Sequence, residues 1–335
     1  MGKIRVGLYG AGGIAAVHAD AYAEIPEAEL VAVCDTLPER ADKLAAKHGA
    51  RACYDGQSLV SDPTIDVIDI CLPTYLHAQA VIDAARGGKH VLCEKPVALG
   101  VHDVDRMIAA VEGAGVQGMI AQVVRFTAHY QLIKDLLDRG ELGRPLTAQL
   151  QRLSSGPTWG SWFRDPKLSG GALLDLHIHD LDYLYHLFGR PQRVYAAGLA
   201  SEQGGWDQVL SALDYGDLKA TAEASFMFPA SYPFTATIRL LGDKGCVQYP
   251  AAAVTVDPQA AASSAGDLVY YCAGQAPSCP EYPRHNPYQT EIEYFIGCLV
   301  RGEPVQIATL RQAREVLEIA MAVKRSLETG QVVSL

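Results

Sequence analysis

The sequence predicts an α/β chain of two domains: a doubly wound parallel sheet over residues 1–122, then an α+β domain with a large, mainly antiparallel open sheet over 123–335. Three observations predict it. The first 122 residues alternate short Val/Ile/Leu-rich runs with helical segments, the pattern of parallel strands covered on both faces. Residues 192–256 instead hold several short alternating or β-branched segments between Gly, Pro and Asp turns, as antiparallel strands do. A chain of 335 residues, 49% of them hydrophobic, has enough apolar surface for two cores.

Taken in order, residues 3–9 read as a strand, and a glycine cluster then opens a helix to residue 24. A strand at 29–34, a helix at 37–48 stopped by Gly49, a strand at 66–72, a helix at 75–86 stopped by Gly87 and Gly88, and a strand at 90–93 repeat the β-α-β unit. A helix at 101–112 and a strand at 116–122 complete the first domain. The second opens with an amphipathic helix at 128–139, a strand at 146–153, a Ser/Gly/Pro/Trp-rich loop at 154–168 and a single helix at 171–188. The Ala/Ser-rich stretch 251–266 and the Pro-rich stretch 276–287 read as irregular, and helices at 288–300 and 310–328 follow. No repeat of fixed period is present.

The formal net charge of -10 is spread along the chain, which disfavours nucleic acid as a partner. The N-terminal residues enter a strand pattern directly, without the features of a secretion signal, and no run of about 18 apolar residues suggests a membrane span. A cytoplasmic protein without a membrane partner is the expectation. The eight cysteines never form a C-x-x-C pair, so they are expected to be reduced, with no zinc site and no redox dithiol.

Gly10-Ala11-Gly12-Gly13-Ile14-Ala15 fits G-x-G-x-x-G/A between a strand and a helix, the context in which that motif binds a dinucleotide pyrophosphate. Gly10 permits the tight turn, Gly12 lets the backbone approach the phosphates, and the helix N-terminus offers free N–H groups. Asp35, about twenty residues beyond at the end of the second strand, can accept from the ribose hydroxyls. Its charge would repel a 2′-phosphate, so NAD is favoured, with NADP the alternative because Arg40 lies one helical turn further on.

The segment that runs from Ala84 into Glu94-Lys95-Pro96 makes the chain recognisable. It resembles the glucose-fructose oxidoreductase and inositol dehydrogenase (Gfo/Idh/MocA) family in four ordered places. These are the glycine loop with Asp35, Leu72-Pro73-Thr74 with His77, Glu94-Lys95-Pro96, and Gly170-Gly171 leading to Asp175 and His179. The resemblance covers nearly the whole chain and implies a Rossmann domain that binds NAD, followed by a substrate domain. It implies that Gly10, Gly12, Gly13, Ile14, Asp35, Leu72, Pro73, Thr74, His77, Glu94 and Lys95 line the cofactor, and that Lys95, Asp175 and His179 surround the reacting substrate carbon. The expected activity is hydride transfer between NAD(H) and a secondary alcohol or ketone of a sugar or cyclic polyol, with Lys95 and His179 as the catalytic groups that exchange the hydroxyl proton and Asp175 orienting them. The rival readings are a glycoside-cleaving enzyme that oxidises its substrate transiently, and a non-catalytic dinucleotide-binding regulator.

The residue types suit this chemistry. Oxidising an alcohol carbon requires a base at its hydroxyl, and a lysine at the C-terminal end of a parallel strand stands where open α/β sheets bind ligands. If residues 171–188 are helical, Asp175 and His179 share a face and the carboxylate can orient the imidazole. If they are extended, Asp175, His177 and His179 share a face suited to a metal, so both readings stay open here, with no metal preferred. His177 departs from the small residue the family leads one to expect, and is a candidate contact to substrate or to a neighbouring subunit. Trp159, Trp162, Phe163 and Arg164 form a group suited to stacking on a sugar ring. Arg125, Arg152, His285 and Tyr288 are further candidates for substrate contact, and His18 for the cofactor side. The open sheet of the second domain suggests a homodimer or homotetramer.

Overall fold

A computed structural model describes residues 2–157, 160–250 and 267–335; Trp159 and the stretch 251–266 lie outside the described residues. The chain divides into two compact units, Met1–Phe126 with His285–Leu317, and Thr127–Arg284 with Glu318–Leu335.

In the first unit, β1 (Ile4–Tyr9), α1 (Gly13–Ala23), β2 (Ala28–Cys34), α2 (Pro38–His48), β3 (Arg51–Cys53), α3 (Gly56–Val60), β4 (Val67–Ile70), α4 (Thr74–Arg86), β5 (His90–Glu94), α5 (Val101–Ala114) and β6 (Gly118–Ala121) follow one another. The strands form one parallel sheet in the order β3-β2-β1-β4-β5-β6. That order reverses between β1 and β4, and ligands of such sheets bind beyond the strand C-termini at the reversal. The apolar strands are buried as their composition requires: all four residues of β4 are inaccessible, Asp69 among them. α2 stops at Gly49 in the left-handed region, as its sequence predicts. β3 and α3 are additions to the sequence reading, because three and five residues carry too little periodicity to register.

Residues 285–317, read from sequence as part of the second domain, cluster with the first. The physical cause is one shared core: Ile292, Phe295 and Ile296 of α10 (Pro287–Arg301) pack with Val6, Tyr22, Leu92 and Met119. A contiguous reading of the chain has no means of anticipating that return.

The second unit contains α6 (Ala128–Asp138), β7 (Pro145–Leu153), α7 (Pro166–Ser169), α8 (Gly171–Asp175), α9 (His177–Phe188), β8 (Arg193–Ala200), β9 (Trp206–Asp214), β10 (Lys219–Ser225), β11 (Thr235–Gly242), β12 (Gly245–Tyr249) and β13 (Val269–Cys272). With β14 (Val333–Ser334) these make an eight-stranded sheet, β13-β12-β11-β7-β10-β9-β8-β14, antiparallel except at β7/β10. α8 and α9 pack on one face through Ala148, Leu150, Ala222 and Val209 and their buried neighbours. The other face leaves Tyr195, Leu199, Leu210 and Leu241 exposed. The last helix, α11 (Leu310–Thr329), begins in the first unit and ends in the second. Among the described residues no helix is long and apolar enough to cross a membrane.

Candidate active site

The site begins where β1 ends. Gly10 has φ +108°, and a Cβ there would stand 2.4 Å from the Cys71 carbonyl oxygen, so backbone conformation and space both demand glycine. Its N–H donates to the Cys34 carbonyl at 2.7 Å and the Cys71 N–H to the Tyr9 carbonyl at 2.8 Å, which between them draw the ends of β1, β2 and β4 together. Gly12 and Gly13 begin α1, where a Cβ would meet nothing within 4 Å. The start of α1 has no side-chain cap, so its first-turn N–H groups remain for a ligand. Ile14 is half-buried, and Ala15 is fully buried where the helix lies against the sheet.

Asp35 follows β2 directly. Its Oδ2 accepts from Ala11 N–H and its Oδ1 from Leu37 N–H, each at 2.9 Å, so the carboxylate is tied to the glycine turn. Each oxygen keeps further lone-pair capacity for the hydroxyls of a ribose. The open space at Gly12 together with this anchored carboxylate fits NAD.

Leu72 and Pro73 lead from β4 into α4, and Thr74 begins that helix as a buried residue. His77, expected against the cofactor, is turned inward instead. Its Nδ1 lies 2.9 Å from the Pro96 carbonyl and its Nε2 2.8 Å from the Leu72 carbonyl, so the ring clamps the loop after β4 to the loop after β5. Burial pushes its pKa down, and a neutral ring donates to one of the two carbonyls. Glu94 ends β5, and its Oε2 accepts from the backbone N–H of Lys95 at 2.9 Å. Lys95 follows at the strand end, half-buried.

Behind these loops lies a buried polar cluster that the sequence reading found only in part. The His18 ring, on α1, contacts Asp69 Oδ2 through Nδ1 at 2.9 Å, and its Nε2 lies 3.3 Å from Glu94 Oε1. Cys71 Sγ stands 3.6 Å from both His18 Nδ1 and Asp69 Oδ1. Burial opposes a charge on His18, but Cys71 and Asp69 outweigh it and hold the imidazole pKa well above its ordinary value. Nδ1, a carboxylate oxygen and Sγ of these three residues all lie within 4.8 Å of one another, at spacings that hydrogen bonds account for. The overlooked signal was Asp69, a carboxylate inside the apolar strand Val67-Ile68-Asp69-Ile70.

Arg125, expected at the substrate, is 4% exposed and donates to Gln312 Oε1 at 2.7 Å, which ties the turn Val123–Phe126 to α11. His285 Nε2 lies 3.4 Å from the Phe126 carbonyl, and the Tyr288 ring lies 6.0 Å from that of His18.

In the second unit, the single helix expected at 171–188 is two. Leu176 (φ −107°, ψ −52°) separates α8 from α9, so Asp175 ends one helix and His179 stands in the first turn of the next. Leu176 itself keeps right-handed helical angles, so the break is local to one residue. Asp175 and His179 are both half-buried, whereas His177 between them is fully buried. His177, read as a candidate contact to substrate or subunit, is a core residue: its Nε2 bonds Ser211 Oγ at 2.8 Å, and Ser211 Oγ donates to the Ala222 carbonyl. Burial, with Arg152 adding to it, pushes its pKa down to about 3.

Arg152 is also structural. It faces inward from β7 and donates to Asp180 Oδ1 at 2.8 Å, with Tyr130 beside it. Trp162 stacks on Phe163 with ring centroids 3.9 Å apart, so one face of that indole is already covered, while Arg164 is exposed.

Comparison with known proteins accords with this geometry. Residues 4–122 match the oxidoreductase family with an NAD-binding Rossmann fold, and residues 130–248 match the GFO/IDH/MocA C-terminal domain. The myo-inositol 2-dehydrogenase of Thermotoga maritima is 28% identical, over 99% of this chain and 98% of its own length. The crystal structure of an aldose-aldose oxidoreductase from Caulobacter crescentus, complexed with glycerol, matches with a TM-score of 0.87 and 25% identity over 99% of this chain and 100% of that one. The crystal structure of the WlbA dehydrogenase from Bordetella pertussis, in complex with NADH and UDP-GlcNAcA, matches with a TM-score of 0.82 and 27% identity over 99% of this chain and 99% of that one. With its glycine turn, anchored aspartate and strand-end lysine, the chain belongs to the Gfo/Idh/MocA family of NAD-binding oxidoreductases.

Proposed function

We propose that this chain transfers a hydride between NAD(H) and a secondary alcohol or ketone of a sugar or cyclic polyol. The observation that carries the reading is the gathering of the Gly10 turn, Asp35 and the Glu94-Lys95 strand end at the C-terminal edge of one parallel sheet. The Gly10 to Ile14 turn would hold the pyrophosphate and Asp35 the ribose, with Leu72, Pro73, Thr74 and Glu94 bordering the cofactor. When bound, NAD supplies the hydride acceptor for alcohol oxidation. We assign exchange of the hydroxyl proton to Lys95, and contacts to the substrate hydroxyls to Asp175, His179 and Trp162.

General acid-base catalysis contributes about 10² to 10⁴ in rate, so Lys95→Ala should lower kcat at least about 100-fold while NAD binding persists. Full activity in that variant would remove Lys95 from the chemistry. An absorbance screen for NADH over inositols, aldoses, anhydrosugars and glycosides, run in parallel with NADP, identifies the substrate class. Glycoside cleavage without net NADH would replace simple dehydrogenation with transient oxidation.

The same reading has the enzyme working in the cytoplasm as a homodimer or homotetramer. All eight cysteines are free thiols, as a reducing compartment favours. The exposed side chains of Tyr195, Leu199, Leu210 and Leu241 on one sheet face suit a second copy. Sedimentation analysis tests this, and a monomer at all concentrations would refute it.

A further inference from the structure

The contacts behind the strand ends run without interruption from a buried aspartate to the backbone of the proposed proton-exchange lysine. Asp69 holds His18 Nδ1 at 2.9 Å, His18 Nε2 lies 3.3 Å from Glu94 Oε1, and Glu94 Oε2 accepts from the Lys95 N–H at 2.9 Å. We infer that the buried His18 ring, bridging Asp69 and Glu94, is a positioning residue for Lys95: it fixes the Glu94 carboxylate, which in turn fixes the backbone that presents the lysine. This rests on the assignment of Lys95 to proton exchange.

The charges support the bridge. Asp69 and His18 are fully buried and Glu94 is 7% exposed, so two carboxylates share a site where ionisation is costly without a cation between them. A proton on each ring nitrogen supplies that cation. An unprotonated Nε2 would instead set its lone pair against Glu94. The titratable groups facing the ring are Asp69 and Cys71 from β4 and its end, Glu94 on β5 and Tyr288 on α10; Tyr22 on α1 and Glu291 on α10 stand behind them, each beside one or more of these groups. None of these groups is a cation, and the carboxylates among them favour the charged imidazole. The 3.3 Å Nε2 contact is an ion contact and not an aligned hydrogen bond, so it restrains Glu94 through charge more than through direction.

The test compares wild type with His18→Gln and Asp69→Asn, using kinetics and the NMR signal of the Lys95 amide proton. Misplacing a catalytic group by an ångström costs up to about 100-fold, so kcat should fall about 10- to 100-fold with KM changing less. The Lys95 amide proton should move upfield as its bond to Glu94 loosens. A loss of stability with kcat and the Lys95 amide both unchanged would leave His18 a purely structural residue and overturn the inference. So would a stoichiometric divalent cation in the purified protein, bound through His18, Asp69 and Cys71. If Lys95→Ala retains activity, the catalytic assignment fails, while the amide signal still reports independently on the clamp. Should His18→Gln fail to fold, the ¹⁵N signals of His18 in the wild-type protein decide: both nitrogens protonated near neutral pH supports the bridge, and a neutral ring refutes it.

Discussion

His18 in the first unit and His177 in the second are both fully buried, yet their surroundings push them in opposite directions. His18 lies between two carboxylates beside a thiol, and gains charge. His177 lies against a serine hydroxyl with the guanidinium of Arg152 nearby, and stays neutral. At His177, burial and Arg152 act together, whereas at His18 burial works against Asp69 and Cys71. Burial pushes both rings towards the neutral form, and only the acids beside His18 override it.

The largest expected effect comes from removing the charge that separates the two cases. Arg152→Met leaves Asp180 buried without its cation, and should cost about 3–5 kcal/mol in urea denaturation. It also withdraws the repulsion at His177, so the acid sensitivity described next should weaken. An unchanged denaturation midpoint would mean that the Arg152–Asp180 pair does not set the environment of His177.

Next is that acid sensitivity itself. Unfolded His177 takes a proton below about pH 6.5, while the folded ring refuses one until about pH 3. Stability is therefore lost as pH falls across that window, by up to about 1.4 kcal/mol per pH unit. Subtracting the stability curve of His177→Gln from that of wild type isolates this slope; a flat difference refutes the neutral buried ring.

His18 should show the opposite sign, because its neighbouring acids override the burial that opposes its charge. Its folded pKa is raised, so its contribution is complete below about pH 6.5 and is lost as pH rises through the folded value. The difference curve against His18→Gln should fall with rising pH. A rise would place a neutral ring between the carboxylates.

The smallest stability change belongs to the open side of the same unit. Gly12→Ala adds a methyl group where nothing lies within 4 Å, and should alter stability by no more than about 1 kcal/mol while weakening NAD binding in calorimetric titration. Unchanged NAD affinity would move the pyrophosphate away from this turn.

Much of the first unit was legible because its signals are local. Gly10, Gly12 and Asp35 state a strand-turn-helix and a carboxylate in one short stretch, and the alternation of apolar strands with helices carries the parallel sheet. The second unit was legible as a class, since alternating strands between turns imply an antiparallel sheet. Its helix at 171–188 was misread because the sequence around Leu176 has no glycine or proline to announce a break. Arg125 and Arg152 were read as candidate substrate contacts, and His177 as a contact to substrate or to a neighbouring subunit, because polar side chains near motifs look functional. Their inward direction depends on partners such as Gln312, Asp180 and Ser211, each at least 28 positions away in the chain.

What the sequence determined by itself was the class of each unit, the cofactor turn and the lysine at the strand end, because each is written in adjacent residues. Tertiary structure alone decided that α10 completes the first core, that His77 clamps two loops, and that Asp69, His18 and Glu94 form one buried cluster. The reason is physical: the energy of a buried charge depends on which oppositely charged group is brought beside it, and only folding brings distant residues within reach.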